Sequence, residues 1–327
     1  MSGTPTPPPR AWWARRPPAA GAAVMATGIV SIGLRLTGYE VLSRILLVVA
    51  GVLWIALAVD VAARLLRDRP GWLRDAGTPG ALTAVAATGV LGTRLSLLGW
   101  QHLAEALLAL AALLWPVLIV QAAAQWRADM PGSVFLGCVA TEGLAVLGAT
   151  LAAAEGAAWL AHAAMVMFWL GLVLYAFALT RFDYRQVWRG PGDHWMAGGG
   201  LAISALAGSQ LVLADSPSLY LWNSDGQGVL RDTTTAVLTL ALAWYAVLLV
   251  AELVRPRPRY DVRRWATVFP MGMTAAAMLP AGSALDVSWL KGSPSEVLVW
   301  VSVAAWLAVG AGTVLSARRT PSPDGTR

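Results

Sequence analysis

Charge is scarce in this chain and cysteine almost absent. Only 13% of the 327 residues are charged, against 57% apolar, and a soluble globule with that balance would expose far too much apolar surface. The single cysteine, Cys138, excludes a disulfide framework and any thiolate metal site. Three histidines, His102, His162 and His194, stand far apart, and neither HExxH nor a P-loop occurs. No Ser, His and Asp set has a recognisable context, so no catalytic constellation assembles, and neither an enzyme nor a metal or organic cofactor is expected.

What the chain has instead is ten apolar runs, at 19–36, 41–65, 78–98, 101–124, 132–153, 157–180, 195–214, 235–254, 265–285 and 295–317. About 20 apolar residues cross the hydrocarbon of a bilayer as a helix, and helices satisfy their own amides in lipid. The expectation is an all-α integral membrane protein with ten transmembrane helices, joined by short loops into five helical hairpins. The odd runs hold 16 glycines and the even runs 4. Helices that approach closely, bend or enclose a lumen need small side chains, whereas lipid-facing ones gain nothing from them. That alternation predicts five inner helices around a pathway, wrapped by five outer ones. Residues 1–18, with prolines at 5, 7, 8, 9, 17 and 18, predict a disordered arm; 19–317 form the transport domain and 318–327 a disordered tail.

Basic residues give the orientation. With the N-terminus inside, 19 of the 24 fall on the cytoplasmic side and only Arg35, Arg44, Arg94, Arg231 and Lys291 on the other. Both termini are therefore expected in the cytoplasm of a plasma-membrane, multi-pass protein, and the high pI reflects topology, not nucleic-acid binding. Many of the 17 tryptophans, among them Trp54, Trp72, Trp100, Trp126, Trp159, Trp195 and Trp289, lie near run ends and read as interfacial anchors. Two ion pairs are expected: Asp60 with Arg64, and Arg94 with Glu105. The stretch 215–232 reads as an irregular outer loop.

A trace of duplication links the odd runs. Ala26-Thr27-Gly28-Ile29 matches Ala87-Thr88-Gly89-Val90, each followed by an Arg-Leu pair, and run five offers the looser Ala140-Thr141-Glu142-Gly143. Glu142 is the carboxylate nearest the middle of a run, where an ionised side chain costs about 2.5–3.5 kcal/mol, so it is expected to be protonated, paired or facing water. In run nine, Pro270 removes the hydrogen bond to the carbonyl of Ala266 and kinks the helix. Phe269, just before it, would block a lumen if it points to the axis; spacing alone favours instead a ring that packs between helices or faces lipid.

Several blocks together are familiar: Met25–Ser31, Thr141–Gly148, His194–Gly208 and, above all, Trp265-Ala-Thr-Val-Phe269-Pro270-Met-Gly272. They resemble the tellurite-resistance and dicarboxylate-transporter family, which includes TehA proteins, malate and sulfite permeases and slow anion channels of guard cells. The resemblance implies ten helices in five hairpins around a central pore, a homotrimer with one pathway per subunit, a small anionic substrate, and Phe269 as the pore-occluding ring. Glu142 stands where many relatives carry glutamine, which raises proton-coupled transport as an alternative; a non-transporting scaffold or sensor is a further one. The expected gate is Phe269 with Pro270, and the expected lining is Thr27, Gly28, Thr88, Gly89, Glu142, Ser204, Gly208 and Thr274. Beyond the substrate and the lipid bilayer, no partner is implied.

Overall fold

A computed structural model describes residues 21–215, 224–257 and 260–319. The expected arm, the tail from 320 and much of the expected outer loop lie outside the described residues. Among those described the chain is helical and carries no strand, only one isolated bridge between Met130 and Phe182. The elements are α1 (Gly21–Leu36), α2 (Glu40–Arg67), α3 (Arg69–Ala76), α4 (Thr83–Ser96), α5 (Gln101–Ala123), α6 (Leu136–Glu155), α7 (Ala158–Arg181), α8 (Gln186–Arg189), α9 (Met196–Ala214), α10 (Ser224–Val254), α11 (Trp265–Ala284) and α12 (Ser293–Arg319). Each of the ten apolar runs is a helix. Seven of these helices are long and apolar enough to cross a membrane by length and composition. The others are α1 with 16 residues, α4 with 14, and α11, which contains Pro270 and Pro280.

Packing separates the helices into two sets. α1 packs on α4, α4 on α6, α6 on α9, α9 on α11, and α11 back on α1, closing a ring. Each ring helix also packs on the helix that follows it in sequence, namely α2, α5, α7, α10 and α12. Within the apolar windows, 94% of the α6 residues and 89% of the α9 residues are buried, against 11% for α2 and for α12. The outer set leaves side chains such as Val41, Leu113 and Val173 exposed, as lipid-facing surfaces do.

Two local devices recur around the ring. The first is the turn that ends a ring helix. Gly38, Gly99 and Gly156 have positive φ, and the next residue's amide reaches five residues back, from Tyr39 to Leu34, Trp100 to Leu95 and Ala157 to Ala152. This is the left-handed helix terminus that glycine makes cheaply. Asp286 takes the same position after α11, with Val287 N–H on Gly282 O at 3.0 Å.

The second device explains the repeated Ala-Thr motif. Trp306 Nε1 donates to Thr27 Oγ1 at 3.0 Å, Trp54 to Thr88 at 2.9 Å, and Trp115 to Thr141 at 2.8 Å. Each threonine hydroxyl gives its own proton to the carbonyl four residues back, Ala23, Ala84 or Gly137. Both hydrogen-bonding directions of the hydroxyl are thus engaged, and an outer helix is bolted to a ring helix at the same level three times. Trp54 is therefore a bolt and not an interfacial anchor, and Trp195 is fully buried against Tyr245, whereas Trp100, Trp159 and Trp289 are exposed.

Some sequence expectations change. Asp60 does pair with Arg64, at 2.9 Å, and Arg64 also holds Asp75. Arg94 does not meet Glu105: it is fully buried, donates to Ser43 Oγ at 2.9 and 3.0 Å, and lies 3.5 Å from Glu40, while Glu105 pairs with His102. The reason is direction, because Arg94 turns toward α2 and not α5. Arg35 is half-exposed where Arg94 is buried, so the Arg-Leu pair is not part of the repeat. Helix α10 starts at Ser224, well inside the stretch expected to be an irregular loop.

Candidate functional site

Four of the ring helices open in the same way. A 3-10 turn precedes α4 (Pro79–Leu82), α6 (Gly132–Phe135), α9 (Asp193–Trp195) and α11 (Val262–Arg264). None of these four helices has a side-chain cap on its first turn. The five starts converge on one cavity of ≈ 400 Å³, lined by Ala22 of α1, Thr83 of α4, Leu136 of α6, Met196 of α9 and Ala266 of α11, with Asp193 and Arg263 beside them. All five ring helices therefore run in the same sense, with their positive dipole ends at the cavity. A larger groove of ≈ 640 Å³ lies outside the ring between α5, α6 and α7. Its lining is mostly apolar side chains that suit acyl chains, with Glu105 and Glu155 at its margin.

Phe269 follows from the cavity by helical geometry. Val262 and Ala266 line it, and residues at i, i+4, i+7 and i+11 share one face of a helix. Val262, Ala266, Phe269 and Met273 form that stripe. The flanks of α11 are occupied: a Cβ on Gly199 of α9 would lie 2.8 Å from Pro270 Cγ, and one on Gly272 would lie 2.9 Å from Ile29 Cγ2 of α1. Between these two seams the cavity-side face carries Phe269, fully buried. Three residues beyond the cavity-lining position on the other ring helices come Met25, Ala86, Val139 and Gly199, and the first three are likewise fully buried. One aromatic ring, one methionine and three smaller residues thus share a level.

The other expected lining residues go elsewhere. The hydroxyls of Thr27 and Thr88 are turned outward onto Trp306 and Trp54. Gly28 and Gly89 lie in ring seams: a Cβ would lie 2.7 Å from Val90 Cγ1 of α4 in one case and 3.1 Å from Gly143 O of α6 in the other. Gly208 abuts Thr234 of α10 and Phe168 of α7. Thr274 returns its hydroxyl to Pro270 O at 3.0 Å, the carbonyl four residues back. In each case the small or hydroxylic residue serves helix packing, which composition cannot distinguish from pore lining.

Glu142 occupies the position that Gly28 and Gly89 hold in their repeats, one residue after the bolted threonine. Its side chain enters the seam between α6 and α9, where Ser204 Oγ lies 2.7 Å from Oε1. It then meets α7, where a Cβ on Gly171 would lie 2.6 Å from Cδ. Glu142 is fully buried and its Oε2 has no hydrogen-bond partner. The carboxyl thus points between three helices, away from the stripe that carries Phe269.

Sequence reasoning overlooked the residues at the cavity rim. Arg263 chelates Asp261 through Nε and Nη2, at 3.1 and 2.9 Å, and that hydrogen-bonded guanidinium holds the Asp261 carboxyl below the ordinary aspartate range. Glu252 takes both Arg257 and Arg264, at 3.2 and 2.8 Å, and Arg257 Nη1 lies 3.0 Å from His194 Nε2. This network ties the end of α10 and the start of α11 to the turn before α9. Among the described residues no cluster of His, Cys, Asp or Glu has the geometry of a metal site. The signal that was missed is the Pro or Gly just before several odd runs, which marks the 3-10 turns.

A sequence comparison with curated proteins found no match. A family model described as voltage-dependent anion channel (SLAC1) matches residues 15–314, from before the first ring helix into α12. Apolar helices and family agree on a multi-pass membrane protein that moves anions, and the chain belongs to the SLAC1 family of voltage-dependent anion channels.

Proposed function

We propose that small anions pass along the axis of the five-helix ring, that all ten long helices cross the bilayer as five hairpins, and that Phe269 closes the path. One observation carries this reading: Phe269 lies one helical turn deeper than Ala266 and on the same stripe, below a cavity to which all five ring helices contribute. An aromatic side chain at the narrow level of an otherwise small-residue ring blocks both sterically and by dewetting. Pro270 leaves the Ala266 carbonyl without its helical partner, which lets α11 bend beside the ring. Parallel helix starts favour anions at the mouth over cations.

In this reading Glu142 holds the α6–α9 seam and does not carry a coupled proton. The arginine bias supports a plasma-membrane orientation with the mouth and both termini in the cytoplasm. Assembly as a homotrimer rests on kinship alone, as does the choice among dicarboxylate, sulfite, tellurite and inorganic anions.

The test is Phe269→Ala in planar lipid bilayers. Anion current per channel should rise at least about tenfold over wild type, since removing the ring opens the level occupied by Met25, Ala86, Val139 and Gly199. Equal currents would remove Phe269 from the path.

A further inference from the structure

We infer that the cavity at the ring mouth is a subsite for singly charged oxyanions that carry a proton, of the hydrogencarbonate type, in preference to nitrate or halide. The inference rests on the anion pathway proposed above and adds its substrate class. Two observations meet in one place. The first is the convergence of five helix starts with Arg263 at the rim, which supplies positive potential for an anion.

The second observation points the other way. Asp193 also lines this cavity, is 6% exposed, and its Oδ1 has no hydrogen-bond partner. A carboxylate can only accept, so it repels a bare anion held at the mouth. It is satisfied by an anion that brings its own O–H. The mouth therefore combines the positive ends of five helices and the Arg263 guanidinium with one acceptor oxygen that has no partner, which matches a singly charged ligand that carries one proton. Sites that leave a buried polar group unpaired reject the analogue lacking the matching hydroxyl more strongly than sites that merely lose contact area.

Hydrogencarbonate and nitrate make the sharpest pair, because both are planar, singly charged and of similar size, and only the first carries a proton. Reversal potentials under bi-ionic conditions in planar bilayers, for wild type and for Phe269→Ala, give their permeability ratio. Hydrogencarbonate should be favoured about tenfold, the equivalent of one charge-assisted hydrogen bond. Asp193→Asn should bring the ratio toward unity by raising nitrate permeability, and Asp193→Glu, which keeps the acceptor, should retain the preference. A wild-type ratio at or below one overturns the subsite while leaving the pathway standing, as does an unchanged ratio in Asp193→Asn. Currents with neither anion, in wild type and in Phe269→Ala alike, overturn the pathway and the subsite together.

Discussion

If Glu142 points into the seam toward α7, residue 171 must be glycine only because of residue 142. Gly171→Ala brings a Cβ to 2.6 Å from Glu142 Cδ and 2.7 Å from Cγ, roughly an ångström inside ordinary carbon contact distance. The carboxyl has little room to retreat, because Ser204 holds Oε1 at 2.7 Å and the residue is fully buried. Overpacking of this kind costs about 1–3 kcal/mol, which corresponds to a fall in thermal midpoint of roughly 2–10 °C. The assay is a double-mutant cycle in detergent-solubilised protein. Glu142→Gly restores the residue that the repeat carries at Gly28 and Gly89, and in that background Gly171→Ala should cost under about 0.5 kcal/mol. The coupling should exceed about 1 kcal/mol, whereas independent sites add to within about 0.5 kcal/mol. Additive effects would refute the placement of Glu142 against α7. Reconstitution into liposomes tests its function: Glu142→Gln should leave the pH profile of anion flux unchanged, and a lost or shifted profile would return the carboxyl to the pathway.

Two further outcomes follow from the geometry. Trp115→Phe removes the indole proton given to Thr141 and should destabilise by about 0.5–1.5 kcal/mol, the range for a buried hydrogen bond in water or membrane. Trp159→Phe, at an exposed ring, should change the thermal midpoint little, and equal shifts for the two would reject the bolt. Asp261→Asn tests the rim pair. A carboxyl whose folded-state value is depressed stabilises above its unfolded value and loses that contribution as pH falls through the folded one. The variant should therefore be less stable than wild type at neutral pH, by only about 0.2–1 kcal/mol because the pair is partly exposed. The difference should shrink as pH falls below the ordinary aspartate range and vanish once the folded-state carboxyl is protonated, and a difference independent of pH would mean that the pair does not stabilise the rim.

Much of the architecture was legible because it rests on counting. Glycine falls where helices are enclosed, and the glycine-rich runs are the ring helices. Threonine in the Ala-Thr motif recurs because a bolt recurs. Which way each residue points was not legible. Thr27 and Gly28 are adjacent, yet the first faces α12 and the second faces α4. A rotation of about 100° per residue separates a bolt, a seam and a lumen, and all three favour small or hydroxylic side chains. The resemblance singled out Phe269, while the side of α11 that it occupies follows by helical geometry only once Val262 and Ala266 are seen on the cavity. Asp193 could not be singled out, since its environment comes from turns before four different helices.

The ring's polarity is a consequence of how the hairpins are threaded. Neighbouring helices in sequence run in opposite senses, so their dipoles oppose one another at a distance. Because every ring helix is the first member of its pair, the ring alone is parallel, and its partners are displaced to the outside. A dipole acts mainly within the first turn of its helix, so an ion in the mouth senses five positive ends and little of the opposing set. Local attraction for anions thus needs few charged residues, which agrees with a chain only 13% charged. It also gives Asp193 its meaning: a carboxylate among five helix starts does not abolish their field, and its lone acceptor adds a requirement that field alone cannot impose, a proton on the passing ion.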